Sequence, residues 1–135
     1  MKRKPLILCA DDSANILEAW KMLLERNGYE VLTAIDGRGA VQLFVAHPVD
    51  LALLDYHMPQ MNGDAAAAHM KACKADVPIA LLSADDMPPL DELKGVDALV
   101  SKSEPITRLL EIVDHLLRLR FLFQPLEEWA ADDAA

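Results

Sequence analysis

Cationic charge, cysteine and long apolar runs are all scarce in this 135-residue chain, and each shortage removes a class of protein. Thirteen Lys and Arg stand against 22 Asp and Glu, a net charge of −9, which argues against an electrostatic footprint for nucleic acid or anionic lipid. The acidity is spread: Glu127, Glu128, Asp132 and Asp133 lie in residues 121–135, which have no Lys or Arg, and the rest of the excess lies before them. Two cysteines occur, Cys9 and Cys73, far apart and without a CxxC or a Cys/His cluster. Neither a zinc site nor a disulfide framework is indicated, and both are read as buried thiols. The basic start Met1-Lys2-Arg3-Lys4 is followed by an apolar run, residues 5–10, that is too short for a signal peptide. No other segment approaches the roughly 18 apolar residues of a membrane span. A cytoplasmic protein is expected, with no membrane partner and no direct contact with nucleic acid.

At 53% hydrophobic and 26% charged the composition is that of a folded chain with one core. Short apolar runs alternate with longer amphipathic segments, the pattern of βα units around a parallel sheet. Five strands are expected at residues 6–10, 29–34, 51–54, 79–82 and 98–100, nearly all continuously apolar, as when helices cover both sheet faces. Ile16, Trp20 and Leu23 share one face of a first helix that Asn27-Gly28 stops. A second, shorter helix runs between Asp36-Gly37 and His47-Pro48. Asp64 is expected to cap a third through the run Ala65-Ala66-Ala67-Ala68 to about Lys74, and Pro105 opens the last, where Ile106, Leu109, Leu110, Val113, Leu116 and Leu117 repeat at helical spacing. The fourth helix, between Ser83 and Gly95, is expected to be shortened to about two turns around Leu90 and Lys94, because Pro88-Pro89 consume its start.

In open parallel sheets, ligands bind where the strands finish. Strand one finishes at Asp11-Asp12, strand three at Asp55, strand four at Ser83 and strand five near Lys102. Three carboxylates brought together repel one another, so such a site needs a raised pKa or a divalent cation with oxygen ligands, of which magnesium fits best. A lysine and a hydroxyl facing them would suit a phosphoryl group, as point charge and hydrogen-bond donor.

With these residues in place the sequence resembles the receiver domains of two-component response regulators, the CheY-like superfamily, over about residues 5–119. The resemblance rests on Asp11-Asp12 after a strand, Asp55-Tyr56-His57-Met58-Pro59-Gln60-Met61-Asn62-Gly63, Ser83-Ala84, and Gly95-Val96-Asp97-Ala98-Leu99-Val100-Ser101-Lys102, all four in order. It implies an α/β fold, a doubly wound five-stranded parallel sheet of flavodoxin-like type with strand order 2-1-3-4-5. It also implies that Asp55 is the phosphoacceptor, taking its phosphoryl group from a sensor histidine kinase or a histidine phosphotransfer protein. Asp12, Asp55 and the backbone carbonyl of His57 would hold Mg2+, with Asp11 acting mainly through a water, and Ser83 and Lys102 would bind the phosphoryl oxygens. Such a domain is not an enzyme on a separate substrate: it catalyses its own phosphorylation and dephosphorylation and signals by contact with a downstream protein. The His57 side chain has two readings, one overhanging the site and one as a surface histidine. His47, His69 and His115 are read as structural or solvated.

Three departures fall on the side of the domain that reports phosphorylation. Leu99 stands where the family usually has Tyr or Phe, Ser103 follows the lysine where proline is usual, and the fourth helix is short. They motivate an alternative function, a receiver-fold interaction or dimerisation module that works without phosphorylation. A magnesium-dependent phosphohydrolase is disfavoured, because His57 stands where a second catalytic acid would be needed. The domain is assigned to residues 1–120, and residues 121–135 to an acidic and aromatic tail with no output domain. Phe121, Phe123 and Trp129 either pack back on the domain or form a partner or homodimer patch.

Overall fold

The computed structural model describes residues 3–84 and 93–122. Its elements follow in the order β1 (Leu6–Ala10), α1 (Ala14–Arg26), β2 (Glu30–Ala34), α2 (Gly37–Ala46), β3 (Leu51–Asp55), α3 (Gly63–Cys73), β4 (Ile79–Ser83), β5 (Ala98–Ser101) and α4 (Ile106–Leu122). All neighbouring strands are parallel, in the order β2-β1-β3-β4-β5. The doubly wound α/β architecture and strand order are therefore as expected.

Alternate residues of the strands serve opposite layers, which is why β1, β3 and β4 are almost wholly apolar, while the edge strand β2 carries the exposed Glu30 and Thr33. Ile7, Cys9, Leu51 and Leu53 pack with Leu17, Trp20 and Leu24 of α1 and Leu109, Val113 and Leu117 of α4. On the other face Leu8, Ala10, Ala52 and Leu54 pack with Ala40 and Phe44 of α2 and Ala66, Ala67 and Met70 of α3. The three middle strands are buried almost completely, so their ends are held rigidly.

Local signals account for most helix ends. Ser13 caps α1, its hydroxyl accepting from the Ile16 N–H, and the left-handed Gly28 (φ 90°) closes it. Asp36 caps α2, accepting from the Gly39 N–H at 2.7 Å. Asp64 does not cap α3: Asn62 occupies that position without a side-chain hydrogen bond, and Asp64 lies inside the first turn, where its charge still suits the helix dipole. Cys9 is buried, but Cys73 is exposed, because α3 finishes there, one turn beyond the buried Met70. The last helix continues to Leu122, two residues past the domain boundary expected at 120. Most of the shortened fourth helix, and the tail from residue 123, lie outside the described residues; Leu93, Lys94 and Gly95 form a bend and turn. No helix among the described residues is long and apolar enough to cross a membrane.

Candidate functional site

Three strand ends and the turn after a fourth bring the expected residues together. Asp55 is the last residue of β3 and Ser83 the last of β4, while Asp11 follows β1 and Lys102 follows β5. The Ala10–Leu54 and Asp55–Leu82 register pairs set these ends level with one another. Asp11, Asp12 and Asp55 each offer a carboxylate oxygen within 4.8 Å of the others. Asp11 and Asp55 are buried and Asp12 is exposed, so the cluster opens to solvent on one side.

Lys102 is the cation between them. Its Nζ lies 2.9 Å from Asp11 Oδ2 and 2.9 Å from Asp55 Oδ1. Asp11 is engaged on both oxygens, since Oδ1 accepts the Ser13 N–H at 2.8 Å. Burial pushes the Asp55 carboxyl above the usual carboxylate range, and the Asp11 charge adds to this, against the opposing pull of Lys102 and a backbone hydrogen bond from His57. Burial alone would lower the Lys102 pKa, but hydrogen bonds to Asp11 and Asp55 outweigh it and hold the ammonium above its ordinary value. Among the described residues, Ser83 Oγ is buried with no hydrogen-bond partner. An orphaned hydroxyl at a buried site costs folding free energy, and a ligand oxygen would satisfy it.

The loop after Asp55 is fixed by close backbone packing. The Gly63 N–H donates to the Tyr56 carbonyl at 2.8 Å, and a Cβ on Gly63 would lie 2.3 Å from the Asp55 carbonyl oxygen. From the opposite side, a Cβ on Gly37 would lie 2.4 Å from the Met61 carbonyl oxygen, so the start of α2 braces the same loop. Gln60 takes a left-handed conformation (φ 69°) at its tip. His57 is exposed, its ring meeting Tyr56 edge-on at a centroid distance of 4.8 Å. Leu99 is partly buried against the α2–α3 core layer and pairs in register with Leu81.

Beyond the lysine the chain makes a turn that the strand pattern did not indicate. The Lys102 N–H donates to the Ser83 carbonyl at 2.7 Å, and the Ser103 N–H donates to Ser101 Oγ at 3.2 Å. The two hydroxyls of Ser101 and Ser103 lie 2.7 Å apart. A serine on each side of Lys102 was the available signal.

A parallel sheet of this order with an acidic crevice and a lysine at its strand ends defines a doubly wound α/β protein of the flavodoxin-like class. The chain belongs to the response regulator receiver domain family, whose model matches residues 7–114. It is 34% identical over 127 residues to the response regulator GtcR of Aneurinibacillus migulanus, covering 92% of this chain and 52% of that protein. It is 31% identical over 121 residues to the transcriptional regulatory protein PrrA of Mycobacterium tuberculosis, covering 86% of this chain and 51% of that one. The chain thus spans about half the length of these curated relatives. Among solved structures, TrrA of Thermotoga maritima, in complex with Mg(2+)-BeF, is 35% identical with a TM-score of 0.78, covering 83% of this chain and 98% of that one. A CheY-like receiver domain of Methanospirillum hungatei has a TM-score of 0.85 at 23% identity, covering 90% and 99%, and attests the fold.

Proposed function

We propose that this chain is a magnesium-dependent phosphoacceptor in a two-component relay, with Asp55 receiving the phosphoryl group. The observation that carries this reading is a carboxylate cluster served by a single lysine, which touches both Asp11 and Asp55 at 2.9 Å. In the proposed step an Asp55 oxygen forms a bond to phosphorus as the phosphorus–nitrogen bond of a partner's phosphohistidine breaks, and the imidazole leaves with the electron pair and takes up a proton. Lys102 stays protonated and meets the charge on the phosphoryl oxygens, while the Ser83 hydroxyl, without a partner of its own, donates to one of them. Asp12, Asp55 and the His57 carbonyl would hold Mg2+, with Asp11 acting through a water, since both Asp11 oxygens already accept hydrogen bonds. When bound, the cation supplies the positive charge that lets a carboxylate and an anionic phosphoryl group approach.

The partner is a sensor histidine kinase or a histidine phosphotransfer protein, the output is contact with a downstream protein, and the setting is cytoplasmic. PrrA's description as a transcriptional regulator applies to a protein about twice the length matched here, so DNA binding is not carried over. The domain acts on itself and not on a separate substrate.

Intact mass after incubation with Mg2+ and acetyl phosphate tests the assignment. One phosphoryl group, about 80 Da, is expected on wild type and lost in Asp55→Asn or without Mg2+. A wild-type chain that gains nothing from this donor or from a phosphorylated histidine phosphotransfer protein overturns it. A second reading, an interaction module independent of phosphorylation, is favoured by Leu99, which has neither ring nor hydroxyl where the family usually has Tyr or Phe. Full function of Asp55→Asn in cells would select that reading.

A further inference from the structure

The geometry points to Ser101 as a positioning residue for Lys102, acting through a turn one of whose closures uses the N–H of residue 103, which a proline would lack. Lys102 sits between two serines, and its backbone is held from both sides. Its own N–H donates to the Ser83 carbonyl at 2.7 Å, which ties it to the end of β4. The following turn closes back on Ser101 twice: the Ser103 N–H donates to Ser101 Oγ at 3.2 Å, and the Glu104 N–H donates to the Ser101 carbonyl at 3.1 Å. The Ser103 hydroxyl adds a third link, 2.7 Å from Ser101 Oγ. A proline at 103 would have no N–H to give, so the link to Ser101 Oγ through that N–H needs a residue other than proline there.

The consequence reaches the site through the lysine stem. Lysine carries a flexible four-carbon chain, and holding its ammonium in one place costs rotamer entropy. Where the Cα points decides whether Nζ can stand 2.9 Å from Asp11 and Asp55 together. Freed from Ser101 Oγ, the turn loses two of its three links, keeping only the one to the Ser101 carbonyl, and Lys102 samples orientations that reach one carboxylate or neither. Ser101 is half-buried and Ser103 exposed, so these bonds contribute little to global stability, and their role is local.

The inference rests on the phosphoacceptor reading for its functional effect, and two measurements keep the two apart. The first is the rate of Asp55 phosphorylation by acetyl phosphate with Mg2+. Ser101→Ala is expected to slow it about five-fold, the combined worth of two weak, solvent-exposed hydrogen bonds, with an unchanged melting temperature and recovery in Ser101→Thr. The double variant Ser101→Ala/Lys102→Ala is expected to be no slower than Lys102→Ala alone, because the serine acts through the lysine. The second is the rate of reductive methylation of Lys102 at limiting reagent, read by peptide mass, expected to rise about five-fold in Ser101→Ala as the ammonium is released. Faster labelling in a chain that takes no phosphoryl group would leave the positioning role standing and remove the phosphoacceptor reading. Labelling unchanged in Ser101→Ala, or a double variant slower than Lys102→Ala by the full factor of the serine change, overturns the inference.

Discussion

Both ends of β3 carry a buried aspartate, and the two are treated in opposite ways. At the amino end Asp50 is fully buried and fully answered: Arg3 meets both its oxygens, the Leu6 N–H donates to it at 2.8 Å, and Arg120 lies 3.4 Å away. At the carboxyl end Asp55 shares one lysine with Asp11 and faces Asp12, and the adjoining strand ends at Ser83, whose hydroxyl has no partner among the described residues. One end has about as many donors as its carboxylate has lone-pair positions, the other fewer. A buried charge without full compensation is unfavourable for folding, so the second arrangement makes sense as a place prepared for something that arrives later. The first holds the chain's beginning, β3 and the last helix together.

Breaking the satisfied end gives the largest expected change in stability. Asp50→Ala removes the acceptor for both arginines and is expected to cost about 3 kcal/mol, at the low end for a buried pair because Arg3 can turn to water. Phosphorylation of the folded fraction should be unchanged. Denaturant melts and intact mass on the same sample check both halves, and a lost acceptor activity with an intact fold would show that the two ends are not separate.

The upper end should respond to a cation, and the lower should not. Mg2+ at ten times its dissociation constant is expected to stabilise the wild-type chain by about 1.4 kcal/mol, and EDTA should reverse this. In Asp12→Asn the gain should shrink, since the exposed carboxylate of the cluster is lost; in Asp50→Ala it should persist. Thermal melts across a Mg2+ series read the difference.

Most of the upper end is legible in the chain, and little of the lower. Asp11, Asp55, Ser83 and Lys102 each follow an apolar run, so strand ends alone bring them into one crevice. Asp50 sits at the start of a strand and looks like a loop residue, and its partners lie 47 and 70 positions away, a separation that leaves no local mark. The glycine at 37 reads as a helix start, yet what excludes a side chain there is the Met61 carbonyl, a tertiary contact. Cys73 is exposed for a related reason: helical periodicity indicates which way a side chain faces, not whether another layer stands over the end of that helix. Residue preference does not choose the cap of α3, because Asn62 and Asp64 suit it equally; Asn62 gains its position from the loop that Gly63 closes after Asp55.

A smaller effect should come from relieving the unfavourable charge at the upper end. Burial and Asp11 raise the Asp55 pKa, so the folded chain holds that proton more tightly than the unfolded one. Stability from this group is present below the ordinary value and lost as pH rises through the raised folded value. Asp55→Asn in EDTA is therefore expected to raise the melting temperature by about 2–4 °C at pH 7, with no gain at pH 3. A destabilised variant at pH 7 would mean that the Lys102 contact outweighs burial.

The smallest effect belongs to the outer rim of the lower cluster, and its sign is opposite. Burial would raise the Asp76 pKa, but the hydrogen bond from Arg120 at 3.0 Å outweighs it and holds the carboxyl below its ordinary range. The folded chain thus releases this proton more readily than the unfolded one. Its contribution is present above the unfolded value near 3.8 and is lost as pH falls through the lower folded value. The Asp76 side chain is 76% exposed, so water and salt screen the pair, and Asp76→Asn is expected to cost only about 0.3 kcal/mol at pH 7 and low ionic strength. That cost should vanish in high salt and at pH 2. Arg120 also donates to the Asp76 carbonyl and lies near Asp50, so it stays in place when the Asp76 charge is removed. A loss at pH 7 as large as that of Asp50→Ala would mean that the rim, not the buried aspartate, secures Arg120, and the contrast between a saturated lower end and a deficient upper one would have to be redrawn around it.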